Sequence, residues 1–242
     1  MKLLAFDTST ESLSIAVMNG DRVWQHTGPG AAQSSATLIP AILGLLAQAG
    51  LTLAGLDALA FGRGPGSFTG LRTACSVAQG LALGAGVPVL PVDTLLAVAE
   101  EARFQRDGSA SAGALQVTAL LDARMDEMYV QRFAFDGGQW TSLADCTLIR
   151  PENLLLEPVD MLLAGNVFGV YAGRLPAWPE TVQRVEALPT AGAMLRLAPA
   201  LLAGGQGVRA ALALPLYIRD KVALTTEERT RAKADALLPA KR

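Results

Sequence analysis

Aspartate and hydroxyl side chains that follow an apolar run are the residues best suited to chemistry in this sequence. Asp7 ends such a run and is followed by Thr8, Ser9 and Thr10. A turn rich in hydroxyls and free backbone N–H groups can cradle a phosphate, and an aspartate there can hold a metal-bound water. The same residues also fit an ordinary turn in which the side chains hydrogen-bond to the local backbone. Both interpretations stay open on the residues alone.

The most informative segment is GRGPGSFTG at residues 62–70, which follows a predicted strand and opens a predicted helix. Backbone N–H groups at such a helix start can bind an anion. The segment is not a P-loop, because no Lys-Ser or Lys-Thr follows its last glycine. Its spacing also departs from the dinucleotide fingerprint, although Asp93 ends the next strand as a ribose-binding acid would. Alternatively, it is a tight turn in which Gly64 and Gly66 have positive φ and Ser67 caps the helix.

Residues that could bind a transition metal are few. His26 is the only histidine, Cys75 and Cys146 are the only cysteines, and neither HExxH nor CxxC occurs. A zinc site needs three or four ligands, and a Ser-His-Asp relay needs the histidine beside a nucleophile. We therefore expect His26 to be structural and the chain to hold no metal of its own.

The elements that must position these residues alternate between strand and helix. Apolar runs and period-two alternation predict strands at residues 2–6, 12–18, 22–27, 56–61, 87–92 and 161–164. Helical spacing, with glycine stop signals, predicts helices at 32–49, 68–84, 94–104 and 191–203. This succession predicts an α/β fold.

A weak internal repeat predicts that the fold is duplicated. Residues 3–17 align with residues 118–132, so that Asp7 falls on Asp122, although chance also explains so few matches. Two halves that each open with an aspartate after the first strand resemble the actin-like ATPase superfamily, whose ribonuclease H-like lobes face each other across a nucleotide cleft. We expect lobes at residues 1–106 and 107–216, with a C-terminal helix at 217–236 completing the first lobe.

Composition and charge exclude several classes of protein. The 242 residues are 51% hydrophobic and 17% charged, which excludes a disordered chain. A net charge of −2 argues against a dedicated nucleic-acid binder. Apolar stretches are interrupted by proline and aspartate, so neither a membrane span nor a signal peptide is expected. Two distant cysteines fit a reducing cytoplasmic location.

Five motifs, taken in order, resemble the bacterial TsaB family over almost the whole chain. They are DTSTESLSIAV, GRGPGSFTGLR, AQGLALGAGVPV, LLDARMDEMYV and PLYIRD. The resemblance implies a duplicated actin-like fold. It also implies a partner subunit of TsaD, which makes threonylcarbamoyladenosine on tRNA at the adenosine next to the anticodon.

The resemblance further implies a subunit that is not catalytic by itself. TsaD binds a metal through two histidines, and the matching positions here are Thr94 and Val98, which are poor ligands. The implied partners are TsaD in a heterodimer and TsaE, with a homodimer also possible, and tRNA is reached only through the complex. ATP is used by the complex, and no cofactor is implied for the isolated chain. Family members often carry a histidine where this chain has Ser34, so no role is assigned to that position.

Two helices are candidates for the partner interface. The helix at 32–49 is apolar almost all round, and such a helix covers more than its own core. The helix at 68–84 carries a stripe of small residues on which a partner helix could approach closely. The predicted interface residues are Leu38, Ile39, Ile42, Leu43, Leu46, Gly70, Ala74 and Ala78. Alternatively, both helices are buried within this chain.

An enzyme of the same superfamily is the alternative function. An ATP-dependent phosphotransferase would use Asp7 and Asp122 on the two facing turns. Arg124 would crowd the second phosphate turn, and no second acid or base is evident. Nucleotide affinity would separate the two functions, since a kinase binds ATP–Mg²⁺ below about a millimolar.

Overall fold

The first half of the chain folds around a five-stranded sheet. The computed structural model describes residues 1–30, 34–108, 113–156 and 162–219, without the side chains of residues 34 and 35. The sheet order is β3-β2-β1-β4-β5. The first three strands are antiparallel, and β4 and β5 are parallel to β1. Their bounds are β1 Lys2–Asp7, β2 Ser12–Asn19, β3 Arg22–Pro29, β4 Ala58–Gly64 and β5 Val89–Asp93.

The second half repeats this topology in a six-stranded sheet. Its order, read from the far edge, is β8-β7-β6-β10-β11, with β9 also paired to β7. As in the first sheet, the hairpin strands are antiparallel and the last two strands run parallel to the first. The bounds are β6 Leu115–Asp122, β7 Met128–Asp136, β8 Gln139–Ser142, β9 Thr147–Ile149, β10 Leu162–Gly165 and β11 Gln183–Glu186.

The matching strand orders confirm the duplicated α/β, actin-like architecture. Asp7 is the last residue of β1, and Asp122 is the last residue of β6. Each strand is followed by a short turn into an antiparallel partner. The repeat that places Asp7 on Asp122 is therefore a structural repeat.

One helix of each half packs on the sheet of the other half. Helices α1 and α2 pack on one face of the first sheet, and α5 packs on its opposite face. Helix α3 packs on the second sheet, where Val98 joins the same core as Val117 and Leu162. The bounds are α1 Ser34–Gln48, α2 Phe68–Ala85, α3 Thr94–Asp107, α4 Val167–Val170 and α5 Ala191–Ala203.

The packing of α3 does not follow the lobe limits expected from the sequence. Helix α3 belongs to residues 1–106 by position but contributes most to the core of the second sheet. The lobe limits at residues 106 and 216 therefore stay a prediction. The predicted helix at 217–236 lies outside the described residues from residue 220 onward, and Tyr217, Ile218 and Arg219 are not helical. In the part of the chain that is described, no helix is long and apolar enough to cross a bilayer.

Candidate functional site

A cleft lies between the two lobes, where the matched hairpins face each other. Its cavity has a volume of about 340 Å³. Four of the predicted phosphate-loop residues line it, namely Ser9, Gly66, Ser67 and Asp122. Its other walls are Thr10, Glu11, Phe68, Leu71, Leu121, Ala123, Arg124, Met125, Tyr129, Asn166 and the segment 216–219. Asp7, Thr8 and Gly64 lie outside these walls.

Asp7 is buried beneath the cleft and does not line it. Its Oδ1 accepts hydrogen bonds from Ser9 N at 2.8 Å and Ser9 Oγ at 2.7 Å. Its Oδ2 is buried without a partner. Burial raises the pKa of Asp7 to about 6. A Cβ on Gly62 would lie 1.8 Å from Oδ2, so β4 packs directly against the carboxyl group and leaves no room for a water on that side.

The glycine loop packs against the β1–β2 turn, where one of its N–H groups and one of its carbonyl groups are hydrogen-bonded. Ser67 N donates to Ser9 O at 2.7 Å, and Thr8 Oγ1 donates to Gly70 O at 2.7 Å. A Cβ on Gly66 would lie 2.6 Å from Ser9 Cβ, and one on Gly70 would lie 1.9 Å from Thr8 O. The glycines therefore allow two backbones to touch.

The backbone conformations predicted for the loop are partly right. Gly64 has φ 122°, as predicted, whereas Gly66 has no positive φ, and that prediction is wrong. The reason for glycine at position 66 is the close approach to Ser9. Ser67 caps α2, since its Oγ accepts a hydrogen bond from Gly70 N at 3.5 Å. The capping interpretation is confirmed.

Asp122 faces the cleft, but its carboxylate is engaged by groups of its own lobe. Its Oδ1 accepts hydrogen bonds from Tyr171 OH and Arg124 N, both at 2.8 Å. The Arg124 guanidinium lies 3.1 Å from Oδ2, which is the expected crowding of this turn. Asp122 N donates to Asn166 Oδ1 at 2.9 Å. Burial and the hydrogen bond to Asp122 raise the pKa of Tyr171.

Three consecutive residues of the β6–β7 turn are left-handed. Arg124, Met125 and Asp126 have φ of 59°, 56° and 61°. Non-glycine residues rarely adopt this conformation, and the surroundings must stabilise it. Ala123 N donates to Glu127 O at 2.9 Å and Glu127 N donates to Arg124 O at 3.2 Å, so N–H groups of this turn are also paired within it.

The positions that the resemblance matches to metal ligands are packing positions. Thr94 and Val98 are fully buried. Thr94 Oγ1 accepts a hydrogen bond from Gly64 N at 3.1 Å, which ties α3 to the glycine loop. Among the described residues there is no group of three or more His, Cys, Asp or Glu side chains that could hold a metal ion.

Most residues of the predicted partner interface are buried within this chain. Leu38, Ile42 and Leu46 are buried in the core between α1 and the first sheet. The small-residue stripe of α2 is also buried, with Ala74 and Ala78 in that same core and Gly70 against Thr8. Small residues let α2 approach its own sheet rather than a partner.

Two predicted interface residues do face outward. Ile39 is 41% exposed and Leu43 is 49% exposed on the outer side of α1. Leu83, which is 78% exposed, adds to them from α2. A Cβ on Gly44 of α1 or Gly80 of α2 would meet no atom within 4 Å, so both glycines are open positions on the outer sides of these helices. We call Ile39, Leu43, Gly44, Gly80 and Leu83 the outer helical face.

Several residues of the cleft carried no sequence signal for their role. Tyr171 and Asn166 lie outside the motifs, and only the fold brings them to Asp122. Tyr217 and Arg219 belong to the PLYIRD motif, which marked them as notable without indicating what they contact.

Comparisons with known proteins decide the family. A family model described as TsaD, tRNA N6-adenosine threonylcarbamoyltransferase, matches residues 29–174. The tRNA threonylcarbamoyladenosine biosynthesis protein TsaB of Escherichia coli is 34% identical over 232 residues, covering 92% of this chain and 96% of that protein. The protein of the same name from Haemophilus influenzae is 35% identical over 240 residues.

The chain belongs to the TsaB family. A solved structure of YeaZ from Pseudomonas aeruginosa supports the fold of this family member, with a TM-score of 0.79 and 38% identity. The alignment covers 89% of this chain and 99% of the YeaZ chain. The resemblance drawn from the five motifs is therefore confirmed at the level of the family.

Several polar groups at the cleft of this TsaB family member are engaged within the chain. Phosphate recognition needs open N–H groups or cations. Here Ser9 N, Ser67 N and Arg124 N donate to partners within the chain. Asp7 is buried, and the Asp122 carboxylate is engaged by Tyr171 and Arg124.

Proposed function

We propose that this chain is the non-catalytic partner subunit of TsaD in the formation of threonylcarbamoyladenosine next to the anticodon of tRNA. Membership of the TsaB family over nearly the full length of the chain supports a role in threonylcarbamoyladenosine biosynthesis. The observation that carries the non-catalytic role is the cleft, whose turn N–H groups and carboxylates are engaged within the chain. A cytoplasmic location is part of the proposal.

The outer helical face is the proposed contact with TsaD. Ile39, Leu43 and Leu83 expose large apolar side chains beside open glycine positions on two neighbouring helices. An apolar surface with gaps of this kind can receive the side chains of a partner helix. A homodimer would use the same face and would compete with TsaD for it. TsaE and tRNA join through the complex, which is also where ATP is used.

The alternative phosphotransferase is not favoured by the geometry. It requires Asp7 and Asp122 to face a shared ligand, but Asp7 is completely buried and lies outside the cleft wall. No step is therefore assigned to ATP on this chain.

An omission experiment tests the proposed function. The pure chain is mixed with TsaD and TsaE, and threonylcarbamoyl transfer to tRNA is measured with each component left out in turn. We expect transfer only with the full mixture and none with the chain alone. Transfer by the chain without TsaD would show a catalytic role, and full transfer without the chain would show that it is dispensable.

A further inference from the structure

The segment at residues 213–219 is anchored first on the lobe that carries α2. Ala213 O accepts hydrogen bonds from Cys75 Sγ at 3.3 Å and from Gln79 Nε2 at 2.8 Å. Leu216 N donates to Arg63 O at 2.7 Å. A Cβ on Gly64 would lie 2.5 Å from Leu216 O, so the segment lies directly on the glycine loop.

Tyr217 continues this anchor along the edge of the cleft. Its ring centroid lies 5.3 Å from that of Phe68, at an interplanar angle of 39°. Arg72 stacks 3.7 Å from the centroid of the Phe68 ring and donates to Tyr217 OH at 3.2 Å. Aromatic and cation–π contacts of this kind add to the burial of the rings.

Two residues later the segment is attached to the other lobe. Ile218 packs against the core of the second sheet. Arg219 donates to Glu127 Oε2 at 2.6 Å, to Arg124 O at 3.3 Å and to Met125 Sδ at 3.3 Å. The chain thus crosses the mouth of the cleft between Tyr217 and Arg219, and it forms one wall of the cavity.

Arg219 also supports the left-handed turn that faces the first lobe. Arg124, Met125 and Glu127, the three residues that it contacts, belong to that turn or follow it directly. A run of left-handed residues needs such external contacts to persist. The segment therefore joins the glycine loop of one lobe to the strained turn of the other.

We propose that residues 213–219 form a latch that holds the two lobes at a fixed angle and keeps the cleft closed on one side. Its two ends are the Tyr217–Phe68–Arg72 contact and the Arg219–Glu127 ion pair. Breaking either end leaves the interleaved α3 and α5 and the exposed Arg124–Glu11 ion pair between the lobes, and the lobes then sample wider angles. This inference does not depend on the identity of the partner subunit.

Distance measurement between the lobes tests the latch. Spin labels are placed on Thr69→Cys in α2 and Ala172→Cys after α4, both at exposed positions, in a full chain that also carries Cys146→Ser. Cys75 is buried and does not compete for the label. Distances are measured by pulsed dipolar spectroscopy in this parent, in Arg219→Ala and in Glu127→Ala. Arg209→Ala is the matched control, because Arg209 is an exposed arginine of the same C-terminal segment that lies away from the cleft.

The latch predicts a narrow distance distribution in the parent and in Arg209→Ala. In Arg219→Ala and Glu127→Ala we expect a broader distribution whose mean differs by more than about 2 Å, the scale of a domain rearrangement. The double variant is expected to match Arg219→Ala, because that change already removes the Arg219–Glu127 contact together with the contacts to Arg124 and Met125. If Arg219→Ala does not fold, Glu127→Ala decides the question. Unchanged distances in a folded variant, or an equal change in Arg209→Ala, would overturn the latch.

Discussion

Asp7 is the residue whose expected role changes most between sequence and structure. The sequence places it correctly at the end of the first strand, where a phosphate-binding aspartate would lie. Burial cannot be read from the four residues of the turn, because it results from Gly62 on β4 packing against the carboxyl group. Asp7 therefore affects the stability of the fold. Its Oδ1 accepts two hydrogen bonds from Ser9, and its Oδ2 is buried without a partner.

The raised pKa of Asp7 predicts that stability falls as pH rises. Burial lifts the pKa from 3.8 to about 6, so the folded state binds the proton more tightly than the unfolded state. The stabilising effect of the proton is complete at low pH and is lost as pH rises through about 6. Between pH 5 and pH 8 we expect the free energy of unfolding to decrease by roughly 1 kcal/mol from this group. Denaturant unfolding across that range measures it.

Asp7→Asn isolates this contribution. Asparagine keeps an oxygen that can accept from Ser9 but does not titrate, so the decrease between pH 5 and pH 8 is expected to be smaller in the variant. Carboxyl groups with lowered pKa, such as Glu100, change charge below this range. An identical pH dependence in both chains would show that Asp7 is not the titrating group.

Glycines on one helix provide a second prediction at the residue scale. A Cβ on Gly70 would lie 1.9 Å from Thr8 O, whereas a Cβ on Gly80 would meet no atom within 4 Å. Gly70→Ala is expected to lower the free energy of unfolding by about 1–3 kcal/mol or more through overpacking. Gly80→Ala is expected to raise it by up to about 1 kcal/mol through helix propensity. Chemical denaturation of both variants, each on α2, gives the comparison; equal effects would contradict the close packing at Gly70.

At the scale of elements, periodicity predicts which segments are strands or helices but not which apolar stripe of a helix faces its own core. Helix α1 has two neighbouring apolar stripes, and Ile42 and Leu43 follow one another in sequence. Only the contacts with the first sheet bury Ile42 and leave Leu43 exposed. The sequence also does not indicate what packs against the stripe of Gly70, Ala74 and Ala78, because small residues allow close approach to any neighbour.

The two faces of α1 predict opposite effects for neighbouring substitutions. Ile42→Arg places an unpaired charge in the core and is expected to unfold the chain, at a cost of several kcal/mol. Leu43→Arg leaves the charge in water, so the chain is expected to fold but to lose binding to TsaD. Circular dichroism melts and a pull-down with TsaD measure the two effects.

Leu143→Arg is the matched control for Leu43→Arg. Leu143 is 45% exposed, close to the 49% of Leu43, but it lies in the second half of the chain, away from the outer helical face. It is expected to fold and to bind TsaD normally. If Leu43→Arg also binds TsaD normally, the outer helical face is not the interface.

At the scale of the whole molecule, the duplication could be predicted but the interleaving could not. The match of Asp7 with Asp122 reflects local sequence, and it anticipated two sheets of the same strand order. The packing of α3 on the second sheet and α5 on the first depends on contacts between residues far apart in the chain. The contacts of Tyr217 and Arg219 at the cleft also join residues that are far apart in the chain.

The crossing of α3 and α5 is held by a buried ion network. Glu100 is 3% exposed and accepts hydrogen bonds from Arg103 Nε at 2.8 Å, Arg196 Nε at 2.7 Å and Trp140 Nε1 at 3.1 Å. Glu100→Gln leaves the buried Arg103 without its counter-charge. We expect a loss of about 3–5 kcal/mol in the free energy of unfolding, as for other broken buried pairs.

Glu152→Gln is the comparison for this prediction. Glu152 pairs with Arg174 at 2.6 Å, but both side chains are exposed. Exposed ion pairs contribute up to about 1 kcal/mol. The free energy of unfolding, measured in guanidinium, should therefore fall much further in Glu100→Gln than in Glu152→Gln. Similar losses in the two variants would show that the network at the crossing does not hold the lobes together.

Dependence of tRNA modification on the amount of this chain tests the central claim most directly. TsaD and TsaE are held at fixed concentration, the chain is added from zero, and the initial rate of threonylcarbamoyl transfer to tRNA is measured. A non-catalytic partner subunit predicts a rate that rises with the chain, saturates when TsaD is fully bound and stays at background whenever TsaD is omitted. A rate that is independent of the chain, or product that forms in proportion to the chain without TsaD, would contradict the account.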